Sequence, residues 1–169
     1  DCSSNFGTLK LDEQRLIAGM RAAYRVIEAN LPRYSLLGCL IDRANLSGAH
    51  SRTCAVGENY LVIDHTGQVA KCQMEIAQPV TNVWADDPLG TIRLTPTGVQ
   101  NLPVEQKAGC RDCEWRYWCA GGCPIATFRA TGRYDLRSPN CAIYQALYPE
   151  VLRLEGLRIL RDATGKIGS

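Results

Sequence analysis

From Asp12 to Leu31, apolar residues fall at Leu16, Ile17, Met20, Tyr24, Ile27 and Leu31, with Arg15, Arg21, Arg25 and Glu28 between them. That spacing puts one apolar stripe along a helix, with Asp12 as its cap and Pro32 marking its end. The apolar run SLLGCLID (35–42) reads as a short buried helix closed by the loop at Ser47-Gly48. Next, NYLVIDHTGQVAKC (59–72) switches to a shorter period. YLVI predicts a strand, Asp64-His65-Thr66-Gly67 its turn, and QVAKC the returning strand of a β-hairpin. Prolines at 79, 88, 96 and 103 mark 78–108 as connecting structure with little regular secondary structure. Near the end, Ala142–Leu147 predicts a helix and Pro149 a break, after which Val151, Leu154, Leu157 and Leu160 share one face. The pattern as a whole predicts an α+β fold: a lead helix, a hairpin, an irregular cysteine-rich lobe and a C-terminal helix.

Length and composition narrow the picture only modestly. At 169 residues the chain is long enough for a buried core, and 46% hydrophobic with 21% charged residues is ordinary for a globular protein. A net charge of +2 argues for no nucleic-acid partner, and no apolar run approaches the ~20 residues of a membrane span. LIAGM (16–20) is too short for a signal peptide and is closed by Arg21. The start at Asp1 suggests a fragment of a larger machine.

Cysteine changes the picture. There are nine, at 2, 39, 54, 72, 110, 113, 119, 123 and 141, an odd count that argues against a secreted disulfide scaffold and for metal-bound thiolates in a reducing cytoplasm. Four of them lie in GCRDCEWRYWCAGGCP (109–124), beside Trp115, Tyr117 and Trp118. Cys110-x2-Cys113 lets two thiolates converge on one centre. Gly121 and Gly122 allow close approach of backbone amides to sulfur, the aromatic rings exclude water, and Arg111, Arg116 and Lys71 offset thiolate charge. The spacing by itself fits iron–sulfur and zinc equally, because four thiolates serve both.

The full pattern, C54-x12-G67-x4-C72, then C110-x2-C113-x5-C119-x3-C123, then C141, resembles the SPASM domain. That family forms the C-terminal extension of many radical S-adenosylmethionine enzymes, and the resemblance runs from Cys54 to Cys141. It implies two auxiliary 4Fe–4S clusters with interleaved ligands: Cys110, Cys113, Cys119 and Cys141 for an outer one, Cys54, Cys72 and Cys123 for an inner one. A fourth inner cysteine found in some members would fall at position 48, which is glycine here. Cys39, His50, a bound substrate or an open iron are the alternatives. Of these, Cys39 reads as a buried, non-ligating residue and His50 as a surface one.

The resemblance also implies a role: an auxiliary domain for electron transfer or substrate positioning in an enzyme that modifies ribosomally made peptides. The catalytic C-x3-C-x2-C motif is not completed, since Ala126 follows Cys119-x3-Cys123. S-adenosylmethionine would therefore bind only through a barrel domain supplied in cis or in trans. No Ser–His–Asp set, phosphate loop or paired carboxylates stand out, and Asp86-Asp87 before Pro88 reads as a turn. The expected organisation is a helical lead over 1–49, a twin-cluster domain over 50–147 and a C-terminal helix and tail over 148–169. Two other functions fit the same residues: a structural zinc module that binds a protein, and a free-standing two-cluster electron carrier.

Overall fold

The computed structural model describes residues 12–41 and 45–165. It is an α+β structure in two units, one made of residues 1–42 with 142–169, the other of 43–141. Cys2 lies outside the described residues.

In the first unit, α1 (Glu13–Ala29) starts where Asp12 accepts a hydrogen bond from the Arg15 N–H at 3.0 Å, which satisfies a donor that the first turn leaves unpaired. It buries Ile17 and Tyr24. The Tyr24 hydroxyl donates to the Leu40 carbonyl at 2.9 Å, and burial pushes its pKa up to about 12. The run 35–41 is not a helix. It is a turn that buries Leu36 and Ile41 and leaves Cys39 exposed, contrary to the buried thiol expected there.

Glu155 explains that turn. It is only 6% exposed, and its carboxylate accepts from Ser35 Oγ (3.0 Å), the Leu36 N–H (2.9 Å) and Arg158 Nε and Nη2 (3.0 and 2.8 Å). A carboxylate so fully bonded can be buried, and it fixes the loop in a non-helical path.

The last helix, α5 (Cys141–Ala163), runs through Pro149 without a break. Its inner face carries Tyr144, Leu147, Tyr148, Val151 and Leu154. Proline removes one hydrogen bond there, but burial of that stripe outweighs the loss. Arg153 clamps Glu28 of α1 with two bonds of 2.9 and 2.6 Å.

The second unit contains the expected hairpin, β1 (Val62–Ile63) and β2 (Gln68–Ala70), paired antiparallel with Ile63 opposite Val69. Asp64 closes the turn: its carboxylate accepts from the backbone of Thr66 and Gln68 and from the Thr66 hydroxyl. A third strand, β3 (Thr81–Asn82), pairs with β2, giving the order β1-β2-β3. The proline-rich stretch also holds α2 (Pro88–Leu94), with Pro88 in its first turn and the Asp87 carboxylate accepting from the Gly90 N–H at 2.8 Å. Two short helices follow, α3 (Arg116–Cys119) and α4 (Pro124–Thr131). Among the described residues no helix is long and apolar enough to cross a membrane.

Candidate metal centre

The cysteines sit at the ends of these elements. Cys72 precedes the 3-10 turn Gln73–Glu75, Cys119 ends α3, Cys123 caps α4 and Cys141 opens α5.

Three thiols gather on one apolar cluster. Val56, Val99 and Ile125 form it, and Cys54, Cys72 and Cys123 pack against it with Tyr60 and Tyr134. Polar ties hold each one. Thr53, beside Cys54, donates its hydroxyl to the carbonyls of Ala120 (3.0 Å) and Gly122 (2.7 Å). Asn101 Nδ2 donates to the Cys54 carbonyl at 2.6 Å and lies 3.8 Å from its sulfur. The turn after Cys72 is anchored by Glu75, which accepts from the Val99 N–H at 2.9 Å, and by Arg129 of α4, which donates to the Met74 carbonyl at 2.9 Å. Burial raises the pKa of the Cys72 thiol, and Cys123 and Cys54 raise it further by their charge.

A second neighbourhood centres on Cys110, which is buried. Successive turns carry the chain past it: the Cys110 N–H bonds the Lys107 carbonyl, the Cys113 N–H bonds the Cys110 carbonyl, and the Cys119 N–H bonds the Trp115 carbonyl. The chain returns alongside at Leu136, with the Ala108 N–H donating to the Asp135 carbonyl at 2.7 Å and the Arg137 N–H donating to the Ala108 carbonyl at 3.1 Å. Burial pushes the Cys110 thiol up to about 11, with Cys119, Cys141 and Cys113 adding to the rise and Lys107 opposing it.

Between Cys119 and Cys123 the chain makes an unusual turn. Ala120, Gly121 and Gly122 all have positive φ, at 48°, 78° and 71°. A β-carbon on Gly121 would lie 2.5 Å from Lys107 Cδ, so glycine there is required by contact as well as by backbone conformation. Lys107 is 1% exposed, and its Nζ donates to the Ala120 carbonyl at 2.8 Å.

The residues expected to neutralise thiolate charge are placed differently. Arg111 is exposed, and Lys71 is buried but donates to the Thr95 carbonyl at 2.7 Å. Arg116 donates to the Cys113 carbonyl and lies over the Tyr117 ring. The buried cation beside the cysteine turn is Lys107, which nothing in VEQKAG (104–109) distinguishes from a solvated lysine. Trp115 and Trp118 are half-buried. His50 is half-buried too, its N–H bonded to the Tyr117 carbonyl and its ring Nδ1 3.1 Å from the Gly48 carbonyl. Cys39 belongs to the first unit.

Among the described residues, no group of three or more His, Cys, Asp or Glu side chains is arranged to hold a metal ion. A cubane is bound at four separate irons, so its thiolates need not converge on one point. No protein-family model, curated protein or solved structure matches the chain.

Proposed function

We propose that residues 54–141 form a SPASM-type domain binding two 4Fe–4S clusters, an inner one on Cys54, Cys72 and Cys123 and an outer one on Cys110, Cys113, Cys119 and Cys141. One observation carries the reading. Cys54, Cys72 and Cys123 pack against one apolar cluster, whereas Cys110, Cys113 and Cys119 follow one another along a run of hydrogen-bonded turns. These cysteines can be divided in many ways, and this division is the one that the cysteine spacing implies through its resemblance to the family.

The donor set fits the group. Thiolates are the usual ligands of cubanes, an apolar floor of Val56, Val99 and Ile125 excludes water, the Asn101 amide offers Cys54 a hydrogen-bond donor and the Lys107 side chain supplies positive charge. Asn101 Oδ1 is buried without a hydrogen-bond partner, a polar atom beside the three-cysteine set that still lacks a partner. When bound, such clusters accept and donate single electrons. The chain's own residues fix the ligands, keep the site dry and set the local charge.

As the resemblance implies, the domain serves an S-adenosylmethionine radical enzyme that modifies ribosomally made peptides, with the barrel supplied in cis or in trans. There it takes up the electron left after side-chain oxidation or orients the peptide. Anaerobic reconstitution followed by assay of iron, acid-labile sulfide and zinc tests the reading. About eight irons and eight sulfides per chain are expected. About two zincs with no sulfide would instead establish a structural zinc module.

A further inference from the structure

We propose that Lys107 is a counter-charge shared by both thiolate sets, a fixed cation that makes the two cluster potentials rise and fall together. The inference rests on the two-cluster reading and adds to it a residue that no cysteine motif contains.

The geometry is specific. Lys107 Nζ donates to the carbonyl of Ala120, the residue that follows Cys119 and begins the three-residue turn to Cys123. The same carbonyl accepts from Thr53, whose neighbour is Cys54. The lysine's own carbonyl accepts from the Cys110 and Arg111 N–H groups. One side chain thus touches the backbone at the junction of both sets. Its stem fills the space under Gly121, where a β-carbon would stand 2.5 Å from Cδ and 3.0 Å from Nζ.

An ammonium this buried is costly unless opposite charge surrounds it. Cysteines of both sets flank the carbonyl that it bonds, Cys119 immediately before Ala120 and Cys123 three residues after it, while the Cys110 N–H bonds the lysine's own carbonyl. Three or four thiolates on a cubane leave a net negative centre that becomes more negative on reduction. A nearby fixed cation stabilises the reduced form more than the oxidised form and so raises the potential. A cation near both centres raises both.

The test compares wild type, Lys107→Met and Lys107→Gln after anaerobic loading with iron and sulfide. Met removes charge and hydrogen bond, whereas Gln retains a donor for the Ala120 carbonyl. Potentiometric titration followed by electron paramagnetic resonance reads each potential. Both variants are expected to shift both potentials downward, with Gln resembling Met. Unchanged potentials, a shift in one cluster alone, or a Gln variant indistinguishable from wild type would overturn the proposal. If neither variant takes up clusters while wild type does, Lys107→Arg decides: loading supports the charge role and failure to load refutes it. If wild type takes up zinc and no sulfide, the cluster reading itself has failed. Competition with a chromophoric chelator then reads the lysine, with weaker zinc binding at both sites in Lys107→Met supporting a shared charge and equal binding refuting it.

Discussion

Single residues hold the strained and buried points of this molecule. Gly121 is one. Alanine there must adopt φ near 78° and displace the Lys107 stem, so Gly121→Ala should destabilise the second unit by roughly 2 kcal/mol or more. Thermal unfolding should show it, together with a lower iron content per chain. Glu155 is the other. Glu155→Ala strips the Leu36 N–H and Arg158 of their partner, at about 2–4 kcal/mol in chemical denaturation of the first unit. Its bonds to Arg158, Leu36 and Ser35 depress the carboxyl pKa from 4.5 to about 2. A depressed acid contributes stability that is full above 4.5 and lost as pH falls toward 2. Wild type should therefore lose stability through that window more steeply than Glu155→Gln, measured by denaturant midpoints at successive pH values. Gly121 stands out in the sequence, Glu155 does not. Glu155 lies within an apolar helical stripe, and although Arg158 is one turn away, the partners that explain its burial, Ser35 and Leu36, stand about 120 positions earlier.

At the scale of elements, capping and turn chemistry were legible and tertiary overrides were not. Asp12 and the Asp64–Gly67 turn act locally, within three or four residues, so the chain announces them. Asp87 acts just as locally, but Asp86-Asp87 before Pro88 reads as a turn where it starts a helix. Pro149 shows the opposite case. Its local cost is real, yet Tyr148 and Val151 on either side are almost fully buried and hold the helix together. Replacing Pro149 with alanine restores a backbone donor, so Pro149→Ala should raise the melting temperature by several degrees; an unchanged or lower value would mean that the proline fits a bend the packing requires. The run 35–41 failed as a helix because a distant carboxylate captured its backbone.

For the whole molecule, the two units should respond differently to metal. The first is held by a buried apolar stripe and by the Glu28–Arg153 and Glu155–Arg158 pairs. The second has short strands and helices of four to eight residues around its cysteines. Such elements are marginal without a shared core. Chelation under reducing conditions should therefore abolish amide protection across 45–141 in hydrogen exchange, while 13–29 and 144–163 remain protected. Equal loss in both, or none, would count against a metal-organised second unit.

The Ala120–Gly122 turn sets a limit on how the chain can drift over time. Both proposed ligand sets meet across those three left-handed residues, so a single insertion or deletion there would throw two constellations out of register at once. Lengthening at the exposed Asp64–Gly67 turn, away from the cysteines, would disturb neither. Across descendants of this gene, length should therefore vary freely in that turn and stay frozen between Cys119 and Cys123.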